Sequence, residues 1–234
     1  MPIAIKKQLF LPSSLRCFAD NILNNTHSMS ERDFAQNLTA IQKSYMKTPA
    51  QRDYFCTAAD KFADRLLEEN NLDFAGIIIS KLCKITEDIP SKLEKFLIKG
   101  YEIAKKNGDY IHMMARLNSL RKIYYRKHDK LRQYIQVLYK QEKYLEHLTQ
   151  NYETATQGYH SLLRAPASKN EYLQMLAHVQ VEISKITKRL HPQEAIDRLN
   201  SAEEIFHSLG NNLHDDYISM LISEAEQVIL RKSS

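Results

Sequence analysis

The sequence predicts an all-α protein on the strength of three observations. The 234 residues include only five Gly and six Pro. Because these residues favour tight turns, so few of them disfavour a strand-rich fold with many hairpins. Apolar residues recur at helical spacing along most of the chain. Helix start and stop signals follow one another with short loops between them. About ten helices of ordinary length fit this pattern.

The N-terminal segment, residues 1–28, is predicted to form an arm and a short helix. Ser13 or Ser14 is a suitable N-cap for that helix. A second helix is predicted to start at Ser30, with Leu38 on its apolar face. This segment therefore leads into the helical hairpins that follow.

Residues 29–107 are predicted to form helical hairpins with clear start signals. Thr48 can cap a helix that has proline at its first position, and Gln51 can complete a capping box. Asn71 can open a shorter helix, and Pro90 can begin the next one. The apolar stripe of the first of these helices comprises Phe55, Ala58, Ala59, Phe62 and Leu66.

Two details complete this part of the chain. The run Gly76–Ile79 is compatible with a strand, but it is isolated between helical patterns and has no partner strand, so we interpret it as helical. The third helix is predicted to end at Lys105-Lys106-Asn107-Gly108, since cations favour the carbonyl end of a helix and glycine suits the residue beyond it.

The C-terminal half is predicted to open with Asp109, which can cap a helix running to about Lys127. A further helix begins near Asp129, and its pattern leaves open whether it breaks near Gln150 or continues toward Arg164. Three more helices are predicted over residues 170–190, 193–209 and 213–231.

The run LAHVQVEISKITKRLHPQEAIDRLNSAEEIFHSLGN, from Leu176, resembles a tetratricopeptide repeat. Its matching positions are Val179, Ile183 and Ile186 on a first helix and Ala195, Leu199 and Ala202 on a second. Small residues in the second helix let neighbouring helices approach closely. A poorer match runs from about Met114 to Leu145, where Arg121 and Gln133 replace the usual small residues. The two matches begin 62 residues apart, which is not a multiple of the 34-residue period.

The resemblance implies that residues 108–234 form tetratricopeptide-like repeats, in which antiparallel helical hairpins stack as an α-solenoid. A closed helical bundle is the alternative architecture, since short links between adjacent helices fit both. The family's concave groove commonly takes an extended or helical peptide. In the repeat from Leu176, the resemblance implies that the groove is lined by Gln180, Ser184, Thr187 and Lys188.

No reaction centre is predicted, so we expect a protein that is not an enzyme and has no cofactor. Glycine-rich nucleotide loops and the H-E-x-x-H zinc motif are absent from the sequence. Glu204 and His207 match E-x-x-H, but a di-iron site needs a second such pair and further inward carboxylates. We interpret this pair as a solvated glutamate and a surface or hinge histidine, and we predict no metal site.

The cysteines and the lengths of the apolar runs indicate in which cellular compartment to expect the protein. Cys17, Cys56 and Cys83 are widely spaced and odd in number, which favours free thiols in a reducing environment over a disulfide framework. No apolar run approaches the length of about 20 residues that spans a membrane. We therefore expect a cytoplasmic protein without a membrane span.

Positive charge is concentrated in residues 116–143, which hold nine Lys or Arg and only two acids. Because the whole chain has a net charge of +5, the rest of the protein is slightly acidic. Nine of the thirteen tyrosines lie between Tyr101 and Tyr159, so the basic segment is also rich in phenol groups. A surface of this composition suits a negatively charged partner.

Helical spacing sorts this segment into faces. The expected core positions are Leu117, Leu120 and Tyr124 on the first helix and Leu131, Ile135, Leu138 and Leu145 on the second. The first helix turns Asn118, Lys122, Tyr125 and Arg126 away from that core. The second helix carries Arg132, Gln136, Tyr139, Lys140 and Lys143 on an adjacent face.

The predicted function is a scaffold that binds a partner protein or acidic peptide through this face. The predicted binding residues are Asn118, Arg121, Lys122, Tyr125, Arg126, Arg132, Tyr139 and Lys140. RNA or DNA binding by the same face is the alternative, with phosphates on the cations and tyrosines stacked on unpaired bases. A plain solvated face remains the third interpretation, because Lys and Arg are good helix formers.

Overall fold

The computed structural model describes residues 48–125, 127–156 and 167–233, together with positions 35, 36, 38–40 and 42. These residues form helices joined by short connections, and there is no strand among them. The all-α prediction is therefore confirmed for this part of the chain. None of the helices in it is both long enough and apolar enough to cross a membrane.

Contacts divide the chain into two compact units, Met1–Met113 and Met114–Ser234. The first unit contains α1 (Pro49–Glu68), α2 (Leu72–Ile85) and α3 (Pro90–Lys106), and each of these helices packs on the next. The unit boundary falls within α4 (Tyr110–Tyr125). The division predicted at residues 28 and 107 stays a prediction, and its first segment lies outside the described residues.

The second unit continues with a 3₁₀ turn (His128–Lys130), α5 (Leu131–Gln150) and the short α6 (Tyr152–Thr156). It then contains α7 (Lys169–Thr187), α8 (Pro192–Ser208) and α9 (Asp215–Ser233). Helix α5 packs on α7, α7 packs on α8, and α8 packs on α9. This succession of neighbours, joined by short links, is the order expected of consecutive helical hairpins.

The predicted caps Thr48, Asn71 and Asp109 act as expected, but of the capping box predicted at Thr48 the structure shows only the half in which Thr48 accepts. The Thr48 side chain accepts a hydrogen bond from the Gln51 amide at 3.2 Å, and the Asn71 side chain accepts one from Phe74. Asp109 accepts one from the His112 amide at 2.9 Å. Ser168 and Glu171 form a reciprocal capping box at the start of α7. These contacts satisfy amides that have no partner within the helix.

The core of the first unit follows the predicted apolar stripes. The five residues predicted for α1 are buried, and Gly76–Ile79 lies inside helix α2 rather than in a strand. Cys56 and Cys83 are buried thiols that form no disulfide with a described residue. Leu38, from the helix predicted at Ser30, is buried as well. Ser30 itself lies outside the described residues.

Close packing of α7 and α8 confirms the role assigned to the small residues of α8. Ala195 and Ala202 are fully buried. The Ser184 hydroxyl of α7 donates to the Ala195 carbonyl of α8 at 3.1 Å, a contact that requires the two backbones to lie close together. Glycine ends the hairpin: Gly210 has a φ of +68°, which L side chains rarely adopt.

Two predicted faces are wrong. Leu131, expected in the core, is 55% exposed, because α5 starts directly after the 3₁₀ turn and buries a stripe beginning at Tyr134. Gln180, Ser184 and Thr187, expected to line an open groove, are buried instead. The hydroxyls of Ser184 and Thr187 donate to the carbonyls of Ala195 and Ile183, whereas the buried Oε1 of Gln180 has no hydrogen-bond partner among the described residues.

Candidate interaction surface

The turn between α4 and α5 forms a basic surface, here called the hairpin tip and comprising residues 122–125 and 127–132. Lys122 and Tyr125 lie at the end of α4, and Arg132 lies in the first turn of α5. The side chains of Lys122 and Arg132 are exposed, and neither forms an ion pair with any described residue. Tyr125 is 70% exposed between them along the chain. Three of the predicted binding residues thus share one open surface.

Aromatic contacts hold the hairpin tip in place. The ring of Tyr125 packs against the buried ring of Tyr134, with centroids 5.7 Å apart. The Lys130 ammonium lies 5.5 Å from the centroid of the buried Tyr124 ring. These contacts tie the turn to both helices, so its cations project from a supported backbone.

The other predicted binding residues do not all belong to this surface. Asn118 faces α5, where its side-chain oxygen accepts a hydrogen bond from the buried Gln141. Tyr139 is half-buried under the guanidinium of Arg198, 5.2 Å from its ring centroid. Lys140 is exposed, but it lies eight residues beyond Arg132 and so about 12 Å farther along α5. Arg126 lies outside the described residues.

Arg121 faces a small pocket within the second unit, with a volume of about 190 Å³. The other polar residues that line it come from α7 and α9 or the turn before α9, and they are His178, Glu182, His214 and Tyr217. Val181, Phe206 and Ile218 complete its apolar wall. The sequence did not predict this pocket, because its residues come from four separate segments. Only the one-turn spacing of His178 and Glu182 is visible in the sequence.

The carboxylate of Glu182 in the pocket already interacts with two residues that do not line it. Glu182 accepts hydrogen bonds from the Tyr134 hydroxyl at 3.1 Å and from Lys185 at 3.2 Å. Burial and the adjacent Glu182 raise the pKa of Tyr134 to about 12. Burial lowers the pKa of His178, and the nearby His214 and Arg121 lower it further. The uncharged form of the His178 imidazole is therefore favoured.

A buried ion-pair network fixes α8 against α5. Arg198 donates to the two carboxylate oxygens of Glu142 at 2.8 and 3.2 Å and also pairs with Glu194. Although burial acts against it, these hydrogen bonds raise the pKa of Arg198. Glu142 is one of only two acids in the basic segment, and its partner is Arg198. Neither Lys122 nor Arg132 forms an ion pair with Glu142.

Comparison with known proteins adds one structural similarity. No protein-family model matches the sequence, and no curated protein matches it. A solved structure described as a de novo designed helical repeat protein aligns over 94% of this chain and 96% of that chain. The identity is 12% and the TM-score is 0.28, so this likeness carries no argument about fold or function.

Proposed function

We propose that the protein is a non-enzymatic interaction module whose hairpin tip binds an acidic segment of a partner protein. The observation that carries the proposal is the pair of exposed cations, Lys122 and Arg132, which form no ion pair with any described residue. They lie on either side of the exposed Tyr125 in the sequence. The carboxylates of an acidic peptide would pair with both cations, and the peptide would cover the Tyr125 ring. Both interactions would form at the hairpin tip.

The proposal includes a tetratricopeptide-like arrangement of the hairpins in the second unit. The buried Ala195, Leu199 and Ala202 support it, since they are the positions at which the repeat requires close helix packing. A cytoplasmic location is part of the same proposal. The buried free thiols Cys56 and Cys83 support a reducing compartment.

Burial of the tyrosines favours a protein partner over a nucleic acid. A single strand needs a row of aromatic rings on which successive bases can stack. Of the six tyrosines on α4 and α5, Tyr124 and Tyr134 are buried and Tyr125 is the exposed one. The half-buried ones are Tyr110, Tyr139 and Tyr144. A single exposed tyrosine close to cations in the sequence can contact one aromatic or aliphatic side chain of an acidic peptide. It offers no row of rings on which the bases of a single-stranded nucleic acid could stack.

A binding experiment tests the proposal with two labelled probes. The first is a glutamate-rich peptide that contains one phenylalanine, and the second is a mixed-sequence single-stranded oligonucleotide. We expect the protein to bind the peptide, measured by fluorescence anisotropy at low salt. The double variant Lys122→Glu/Arg132→Glu should lose that binding, and Tyr125→Ala should weaken it.

The matched control is Lys61→Glu/Lys169→Glu, which makes the same change in net charge at two exposed lysines elsewhere. It should bind the peptide as the wild type does, and circular dichroism should show all variants folded. Binding of the oligonucleotide instead, with a salt slope of about 0.7 per phosphate, would support the nucleic-acid alternative. Binding of neither probe contradicts both.

A further inference from the structure

We propose that Glu203, His207 and Asp215 form a binding site for a divalent transition-metal ion, with zinc as the best-suited cation. One oxygen from each carboxylate and one ring nitrogen of His207 lie within 4.8 Å of one another. The proposal concerns the junction of α8 and α9 and is independent of the hairpin tip.

The backbone brings these three side chains together. Glu203 and His207 are four residues apart on α8, so they share one helix face. Asp215 is the first residue of α9, and the turn at Gly210 returns the chain so that its carboxylate meets His207. His207 Nε2 and Asp215 Oδ1 are 3.0 Å apart.

One of the three distances between candidate ligand atoms is close to that of a tetrahedral zinc site. Zinc–nitrogen and zinc–oxygen bonds of about 2.0–2.2 Å place neighbouring ligand atoms about 3.4 Å apart. The His207–Asp215 distance is already near that value. The side chains of His207 and Asp215 are partly exposed, so small rotations can close the remaining distances without moving the helices. Three protein ligands leave a fourth position for water.

The surrounding charges also favour a cation. Elsewhere the partly buried carboxylates pair with basic groups, as Asp60 does with Lys95 and Lys99. Neither Glu203 nor Asp215 pairs with a Lys or Arg among the described residues. His207 lies in the last turn of α8, where the helix dipole attracts positive charge.

The donor set selects among metals. A site with one imidazole and two carboxylates suits Zn²⁺, Co²⁺ or Ni²⁺, whereas Mg²⁺ and Ca²⁺ prefer oxygen ligands throughout. The alternative explanation is a hydrogen bond between His207 and Asp215 with no metal bound. The two explanations differ in a measurable way, because only the first requires a stoichiometric metal.

Titration of the full chain with ZnCl₂ and CoCl₂ tests the proposal. We expect isothermal calorimetry to give one Zn²⁺ per chain, and Co²⁺ to give the visible absorption of a tetrahedral site. The melting temperature should rise with Zn²⁺ concentration, because the ion binds the folded chain. Loss of a residue that only hydrogen-bonds to a metal ligand weakens metal binding roughly 10–100-fold. His207→Gln and Asp215→Asn remove direct ligands, so each should weaken Zn²⁺ binding by at least that factor.

Two controls make the test specific. Glu204→Gln changes an exposed glutamate of the same helix turn that lies outside the cluster, so it should bind Zn²⁺ as the wild type does. His214→Gln tests the neighbouring imidazoles, since His178 and His214 lie with ring centroids 5.3 Å apart. Loss of binding in His214→Gln with binding retained in His207→Gln would overturn the assignment. So would the absence of stoichiometric binding to the wild type.

Discussion

At the scale of single residues, the buried charges of the second unit depend on partners far away in the chain. The side chains of Arg198 and Glu142 are only 17% and 11% exposed, and 56 residues separate them. Removing one member of such a pair leaves the other charge without compensation in a poorly solvated site. The sequence gives no local indication of this pair, which is why Arg198 was not among the predicted residues.

The first prediction concerns this network. Arg198→Met should lower the free energy of unfolding by about 3 kcal/mol, because Glu142 keeps its charge and loses its partner. Urea denaturation measures the effect as a lower midpoint with an unchanged slope. The double variant Arg198→Met/Glu142→Leu should recover much of the loss, since it removes both charges. An unchanged midpoint in the single variant would contradict the proposed importance of the pair.

The second prediction concerns acid stability in the first unit. Asp60 accepts a hydrogen bond from Lys95 at 2.6 Å and pairs with Lys99. Burial acts to raise the pKa of Asp60, but the hydrogen bonds from Lys95 and Lys99 outweigh it, and the pKa is lowered. The resulting stability is present above the unfolded-chain value of about 3.9 and is lost as pH falls through the lowered pKa.

Asp60→Asn should therefore cost about 1.5 kcal/mol near neutral pH, and that difference from the wild type should shrink toward zero as pH falls through the lowered pKa of Asp60. Urea midpoints over a pH series provide the measurement. Asp53→Asn is the control on the same helix, because Asp53 pairs with Lys92 while 58% exposed and should contribute less than about 1 kcal/mol. A pH-independent cost of Asp60→Asn would contradict the assignment.

At the scale of helices, the N-termini could be predicted from the sequence more reliably than the buried faces. Thr48, Asn71 and Asp109 bond to amides three residues away, so the sequence itself contains both partners. The orientation of a helix depends on neighbours from other parts of the chain. Leu131 and Gln180 were assigned to the wrong faces for that reason, although their helices were predicted correctly.

The third prediction tests the close packing of α8. Ala202 is fully buried in a cluster with Leu199, Phe206 and Ile218. Ala202→Leu should destabilise the protein by about 1–3 kcal/mol, because the larger side chain has no space between the helices. Thermal and urea unfolding measure the change. Ala50→Leu, at an exposed alanine of α1, should stay within about 0.5 kcal/mol of the wild type.

At the scale of the whole chain, charge is distributed unevenly, and the structure exposes part of the surplus at the hairpin tip. The sequence predicted Arg121, Lys122, Tyr125 and Arg132, because they are close together in the chain. It could not predict that Arg121 would face a pocket with His178 and His214, since those residues follow more than fifty positions later. Local clustering is visible in a sequence, whereas a pocket made from separate helices is not.

The fourth prediction follows from this distribution of charge. Lys122→Glu/Arg132→Glu should elute from a sulfonate cation-exchange column at clearly lower salt than Lys61→Glu/Lys169→Glu, although both variants have the same net charge. A resin responds to the strongest local potential of a protein, so clustered cations count for more than dispersed ones. Equal elution of the two variants would contradict a concentrated basic surface.

The two buried thiols of the first unit are natural probes of local opening. Cys56 in α1 and Cys83 in α2 are shielded from solvent, and burial raises the pKa of Cys56, which keeps the reactive thiolate scarce. A thiol-specific reagent can modify them only during moments when these helices separate. With Cys17 replaced by serine, the rate of labelling would report how often the α1–α2 hairpin opens, without any introduced probe.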